Sequence, residues 1–92
     1  MEEIRAKVLI SGKVQSVFFR EHTKREALEL ELKGYVKNLE NGDVEAVFQG
    51  PENKIREIIL WCKDGPKLSK VKNVQIRHMK PKEEFTTFEI IQ

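Results

Sequence analysis

The stretch GYVKNLENGDVEAVFQ, residues 34–49, contains two β-rich runs separated by a short polar segment. The first run covers residues 34–39, the second covers residues 43–49, and the intervening residues are Glu40-Asn41-Gly42. An Asn-Gly pair between two such runs is a strong signal for a tight β-hairpin. The stretch therefore predicts two adjacent antiparallel strands in the middle of the chain.

The sequence before this hairpin predicts a strand followed by a helix. Residues 6–11 read AKVLIS, a short β-rich run that stops at a glycine and fits a strand entering a loop. From residue 21 to about residue 30, charged side chains surround the apolar or semi-apolar positions Thr23, Ala27 and Leu30, which lie four and three residues apart. This spacing is typical of an amphipathic helix.

The sequence after the hairpin predicts a second helix and one or two further strands. The helical pattern begins at Pro51, ends at the KDGP of residues 63–66, and repeats apolar residues at helical spacing: Ile55, Ile58, Ile59 and Cys62. Residues 71–79 alternate imperfectly between apolar and polar side chains. Residues 85–91 form a last β-rich run, which either continues the fourth strand or forms a short fifth.

The resulting order is strand, helix, strand, strand, helix, strand. This βαββαβ order predicts an α+β, ferredoxin-like sandwich, in which an antiparallel sheet of four to five strands carries both helices on one face. A chain of 92 residues with 39% apolar content suits a single hydrophobic core. We therefore expect one domain over residues 1–92.

The composition argues against several classes of partner. The 17 basic and 15 acidic side chains nearly cancel, so no strong overall field favours nucleic acid or an anionic membrane. No apolar run approaches the roughly 18 to 20 residues that cross a bilayer, and the N-terminal residues lack the apolar stretch of a signal peptide. We expect a cytoplasmic protein with no nucleic-acid or membrane partner.

The residues that most often bind metals are few and scattered. The single cysteine, Cys62, and the two histidines, His22 and His78, form no cluster with a recognisable ligand spacing. Cys62 lies in an apolar helical pattern and is expected to be a small buried side chain, whereas the histidines are expected at the surface. The sequence therefore predicts no metal site and no cofactor.

The loop between the first strand and the first helix reads GKVQSVFFR, residues 12–20. Backbone N–H groups at the start of a helix are unpaired and carry a partial positive charge, so they can converge on an anion. Arg20 stands at the end of this loop, and the fixed fork of a guanidinium can hold two phosphoryl oxygens at once. The loop is therefore a candidate phosphate-binding site.

This loop and residues 34–50 together resemble the two signatures of the acylphosphatase family. The first signature, Gly-x-Val-Gln-Gly-Val-x-Phe-Arg, is matched by residues 12–20 except that Ser16 replaces the family's glycine. The second, Gly-aromatic-Val-Lys-Asn followed by x3-Gly-x-Val-x5-Gly, is matched by residues 34–50. The resemblance continues into Pro51-Glu52 and Trp61 and covers nearly the whole chain.

The resemblance implies hydrolysis of acyl phosphates without a metal or a phosphoenzyme. It implies that Arg20 binds the phosphate of the substrate, that Asn38 orients the attacking water, and that a substrate oxygen takes the proton of this water. The phosphoryl oxygens would be held by the backbone amides of the loop: Gln15, Ser16, Val17, Phe18, Phe19 and Arg20. The expected partner is a small-molecule acyl phosphate. The sequence leaves the oligomeric state open, and a monomer is expected.

Three alternatives have to be weighed, because this topology supports many functions. The chain lacks the aromatic run that marks the central strand of RNA-recognition domains, and it lacks the Cys-x-x-Cys of metal-delivery domains. The alternative that stays open is a non-enzymatic, acylphosphatase-like module that binds a phosphorylated metabolite or a partner protein. Its basis is Ser16, which costs about 1 kcal/mol if its φ is positive and would then weaken turnover.

Overall fold

The structure is a computed structural model that describes residues 2–91. Its elements follow the predicted order and end in a short fifth strand. They are β1 (Glu3–Lys13), α1 (Phe19–Glu29), β2 (Lys33–Asn38), β3 (Val44–Pro51), α2 (Glu52–Asp64), β4 (Lys70–Met79) and β5 (Phe88–Ile90). Neither of the helices within residues 2–91 is long and apolar enough to cross a membrane.

The five strands form one sheet in the order β4-β1-β3-β2-β5. β1 pairs antiparallel with β3 and β4, and β2 pairs antiparallel with β3, so that Ala46 lies opposite both Val8 and Val36. The predicted ferredoxin-like α+β fold is confirmed. β5 departs from the antiparallel expectation, because it pairs parallel to β2 with Glu89 opposite Tyr35.

The direction of β5 follows from the path of residues 80–87, which carry the chain from one edge of the sheet to the other. Arg5 of β1 is only 3% exposed, and its guanidinium donates to the Glu84 carboxylate at 2.7 Å and to the Lys82 carbonyl at 3.2 Å. The same guanidinium lies 4.7 Å from the ring centroid of Phe85. These contacts hold the segment across the end of the sheet where β4 finishes. The next strand therefore runs opposite to β4, which is the direction of β2.

The core lies between one face of the sheet and the two helices. α1 packs against β2 and β5, and α2 packs against β1, β3 and β4, as predicted for helices that share a face. Cys62 is buried in this core, and its burial raises the pKa of the thiol to about 12. The helix side chains buried there are Phe19, Thr23, Ala27, Ile55, Ile58 and Cys62.

The opposite face of the sheet is polar and is organised around Glu45 of β3. The Tyr35 hydroxyl donates to the Glu45 carboxylate at 2.7 Å, and the ammonium groups of Lys7 and Lys37 lie 3.3 and 3.7 Å from it. Burial raises the pKa of Glu45. The hydrogen bond from Tyr35 and the two nearby lysines lower it by more than burial raises it, so the pKa of Glu45 lies below its ordinary value. Burial, followed by the hydrogen bond to Glu45, raises the pKa of Tyr35 to about 12.

The close approach of β2 and β3 generates a prediction about two glycines. Gly34 has a φ of 140°, and a Cβ built on it would collide with the carbonyl oxygen of Val47. Gly42, in the hairpin, has a φ of 98°, but a Cβ there would meet no atom within 4 Å beyond its chain neighbours. Gly34→Ala should therefore lower the free energy of unfolding by roughly 3 kcal/mol or more, whereas Gly42→Ala should cost about 1 kcal/mol.

Urea unfolding of the two variants beside the unchanged protein measures this difference. Equal losses would contradict the steric account, because both substitutions meet an unfavourable backbone angle and only Gly34 also meets a neighbouring strand.

Candidate active site

The loop between β1 and α1 contains backbone angles that residues other than glycine rarely adopt. Ser16 and Phe18 have left-handed φ angles of 63° and 62°, so the condition raised for Ser16 from the sequence is met. Turns that contain such residues direct successive N–H groups toward one side and form an anion-binding concavity. Phe18 is also the N-cap of α1 and makes no side-chain hydrogen bond to the helix. The first N–H groups of α1 are therefore left without a capping side chain.

Buried side chains fix both ends of this loop. Val14 and Phe19 are each 1% exposed. The ring centroid of Phe19 lies 5.6 Å from that of Trp61, which packs against the core from α2. The Thr23 hydroxyl donates to the Phe19 carbonyl at 2.7 Å. The path of the loop is thus set by the core and not by the loop residues alone.

The loop and the end of β2 enclose a cavity of about 180 Å³. Five of the predicted site residues line it, together with two residues that were not predicted to be in the site. The lining residues are Val14, Ser16, Phe18, Phe19, Arg20, Glu21 and Asn38. The structure therefore brings Arg20 and Asn38 to one cavity although they come from different elements.

Gln15 and Val17, the remaining predicted phosphate-binding residues, are not among the lining residues. The Val17 side chain is buried. The Gln15 side chain donates from Nε2 to the carbonyl oxygens of Leu39 and Asp43, at 2.8 Å each. These bonds tie the loop to the β2–β3 hairpin, so the side chain of Gln15 has a structural position beside the cavity.

Arg20 occupies the first turn of α1 and is partly exposed. Within residues 2–91, its guanidinium has no side-chain or backbone oxygen at hydrogen-bond distance and no carboxylate within 4.0 Å. A guanidinium at the start of a helix adds its charge to the positive end of the helix dipole. This end of the cavity is therefore suited to an anion.

Asn38 is the last residue of β2. Its side chain lies on the helix side of the sheet, the face that Val36 also occupies. The Oδ1 atom is buried and has no hydrogen-bond partner within residues 2–91. A buried acceptor without a partner is costly, so this atom is placed to accept a hydrogen bond from a molecule in the cavity.

Glu21 and Val14 line the cavity but were not predicted as site residues. Val14 belongs to the matched signature, and its burial shows that it forms the floor. Glu21 is exposed and has no ion-pair partner within residues 2–91. The sequence did contain a signal for Glu21. It follows Arg20 directly in the first turn of α1, and that turn faces the preceding loop.

The side chains around the cavity were compared with the ligand sets that hold metal ions. Over the described residues, no group of three or more His, Cys, Asp or Glu side chains is placed to hold a metal ion. The cationic character of the site comes from Arg20 and from the N–H groups at the start of α1.

Comparison with known proteins agrees with the two signatures. The profile of the acylphosphatase family matches residues 6–90. An acylphosphatase from Pelotomaculum thermopropionicum is 40% identical over 90 residues, which is 98% of each chain. The structure of an acylphosphatase from Coxiella burnetii is 40% identical with a TM-score of 0.91, and the match covers 97% of this chain and 93% of that chain. The acylphosphatase structure from Bacillus subtilis is 31% identical with a TM-score of 0.93, over 97% and 99% of the two chains. The chain therefore belongs to the acylphosphatase family.

Proposed function

We propose that the chain hydrolyses acyl phosphates to a carboxylate and inorganic phosphate, using the cavity between the β1–α1 loop and the end of β2. The observation that carries the proposal is the meeting of Arg20 and Asn38 in one cavity beside a loop with left-handed backbone at Ser16 and Phe18. In this reaction a water oxygen bonds to phosphorus, the bond from phosphorus to the acyl oxygen breaks, and the carboxylate leaves with the electron pair.

Arg20 and the loop amides hold the phosphoryl group in this mechanism. The guanidinium grips two phosphoryl oxygens in a bidentate contact, and the N–H groups between Gln15 and Arg20 bind the oxygens that face the loop. Gln15 and Val17 contribute through their backbone only, since the Gln15 side chain bonds the hairpin and the Val17 side chain is buried. These contacts stabilise the negative charge on the phosphoryl oxygens as the reaction proceeds.

Asn38 positions the attacking water. Its buried Oδ1 lacks a partner within residues 2–91, and a water bound in the cavity can donate a hydrogen bond to it. A non-bridging oxygen of the substrate takes the second proton of the water, so the protein needs no general base. The mechanism uses no metal, because Arg20 and the amides supply the positive charge that phosphoryl transfer requires.

Turnover of benzoyl phosphate in the presence of a chelator tests the function, and Arg20→Lys tests the phosphate site. We expect phosphate release by the unchanged protein and a loss of at least about a hundredfold in kcat/KM for Arg20→Lys, because an ammonium cannot reproduce the bidentate fork. Inhibition by inorganic phosphate should weaken in parallel. Arg25→Lys, an exposed position on the same helix, is the matched control. Binding of phosphate without turnover by the unchanged protein would favour the non-enzymatic module.

Asn38→Ala separates water positioning from phosphate binding. We expect kcat to fall by about a hundredfold, the order for loss of one positioning contact, while the inhibition constant of inorganic phosphate stays the same. Asn53→Ala on α2, where the side chain is exposed, should change neither quantity. A parallel loss of inhibition and rate in Asn38→Ala would instead make Asn38 a binding or folding residue.

Ser16→Gly tests the backbone of the loop. The φ of 63° at Ser16 is unfavourable for a residue with a Cβ, and glycine adopts it at little cost. The loop should then adopt its phosphate-binding shape more often. We expect kcat/KM on benzoyl phosphate to rise about tenfold, which corresponds to ~1.4 kcal/mol of transition-state stabilisation.

Glu31→Gly is the matched control for this prediction. Glu31 also has a left-handed φ, 59°, but it follows the C-terminal end of α1 and does not line the cavity. It should leave kcat/KM unchanged. A Ser16→Gly variant with an intact fold and unchanged or lower kcat/KM would show that the hydroxyl is tolerated or useful.

A further inference from the structure

The mouth of the cavity has features that phosphate binding does not explain. The floor is closed, because Val14 and Phe19 are each 1% exposed and belong to the core. Phe18 and Glu21 also line the cavity, and both are exposed to solvent. A phosphoryl group held by Arg20 and the loop amides therefore leaves the rest of the substrate to extend outward past Phe18 and Glu21.

Phe18 is a costly residue at its position. Its side chain is 64% exposed, whereas its neighbours Val17 and Phe19 are buried. Its φ of 62° is one that residues with a large side chain rarely adopt, and its side chain supplies no hydrogen bond to the helix that it caps. Asparagine or glycine would suit both the backbone angle and the N-cap better. Folding alone thus does not account for an aromatic ring at the cavity mouth.

Glu21 places a negative charge on the wall of a cavity that we propose binds an anion. A carboxylate in the first turn stabilises a helix modestly through the dipole, and this alone would account for a glutamate here. However, the side chain also lines the cavity beside Arg20, and no cation within residues 2–91 lies within 4.0 Å of it. A second negative charge on the substrate would therefore meet an uncompensated carboxylate.

We propose that Phe18 and Glu21 form the acyl-group subsite and select substrates by the chemistry of the acyl group. This inference rests on the proposed acyl phosphate hydrolysis. The ring of Phe18 packs against an apolar or aromatic acyl group, and Glu21 disfavours acyl groups that carry a carboxylate. An acyl group with a positive charge gains from both residues, through attraction to the carboxylate and contact of the cation with the ring face.

Substrates that differ only in charge test the role of Glu21. Three substrates share one ring and differ in the charge of the acyl group: benzoyl phosphate, 4-carboxybenzoyl phosphate and 4-(aminomethyl)benzoyl phosphate. The intrinsic reactivity of each substrate is the same for every variant, so it cancels when a substrate preference is compared between variants. We expect Glu21→Gln to reduce the preference for benzoyl over 4-carboxybenzoyl phosphate about tenfold, and high salt to reduce it in the unchanged protein. The preference for the aminomethyl substrate should fall in the same variant.

Glu29→Gln is the matched control, because it removes the same charge from an exposed position in the last turn of α1. It should leave all three substrate ratios unchanged. Competitive inhibition by phenylphosphonate and 4-carboxyphenylphosphonate gives a second readout that needs no turnover, and Glu21→Gln should narrow the gap between their inhibition constants.

Phe18→Leu tests the aromatic wall while it keeps an apolar side chain at the same backbone position. We expect it to lower the preference for benzoyl over acetyl phosphate about fivefold, the order for loss of one aromatic contact. Substrate and inhibitor ratios that do not move in Glu21→Gln or in Phe18→Leu would overturn the subsite and leave the proposed hydrolysis intact. Failure of the unchanged protein to hydrolyse any of these acyl phosphates would overturn both.

Discussion

The side chain of Gln15 joins the two segments that form the cavity. Its amide nitrogen donates to the carbonyls of Leu39 and Asp43 at 2.8 Å each, and the N–H of Leu39 donates to the same Asp43 carbonyl at 2.9 Å. The β1–α1 loop is thereby held against the end of β2, immediately after Asn38. Phosphoryl transfer depends on the relative placement of the phosphate and its nucleophile, so in the proposed mechanism this link sets the position of Asn38 relative to the loop.

The loop keeps a strained backbone because its surroundings leave it no alternative. Ser16 and Phe18 each hold a left-handed φ at a cost of roughly 1 kcal/mol or more, which is a noticeable share of the 5 to 15 kcal/mol that stabilises a typical domain. Val14 and Phe19 are anchored in the core at the two ends, and Thr23 binds the Phe19 carbonyl. Core packing therefore maintains a conformation that the loop sequence by itself disfavours.

Local pattern predicted most of the fold, because burial alternates along β1 and β2 and recurs at helical spacing in both helices. Short β-rich runs and helical spacing located β1 to β4 and both helices, and the Asn-Gly pair located the hairpin. The direction of β5 was not predictable in this way. It depends on contacts between Arg5 and residues 82–85, which are distant in sequence and leave no periodicity.

The same distinction applies to the cavity. The signatures predicted Arg20, Asn38 and the loop. Glu21 was not predicted although it follows Arg20 directly, because its place at the mouth depends on how the loop backbone enters α1. The exposure of the Phe18 ring was not predicted either. It depends on a left-handed residue at the N-cap, which turns the chain in a way that composition does not reveal. Motif matching predicted the groups that we propose to bind phosphate, and the backbone geometry was needed to find the residues at the mouth of the cavity.

The small size of the domain and the chemistry of the cavity are connected. A chain of 92 residues has a limited core, and burying several charges in it would be costly. In the proposed mechanism, phosphate is instead bound by backbone N–H groups, which the fold supplies, and by one partly exposed guanidinium, Arg20. A carboxylate leaves readily, so an acyl phosphate needs positioning and charge stabilisation but no strong acid. A poorer leaving group would need a general acid placed to protonate it, and the carboxyl group that lines this cavity, Glu21, lies at its solvent-exposed mouth. The architecture therefore suits mixed anhydrides better than phosphate monoesters.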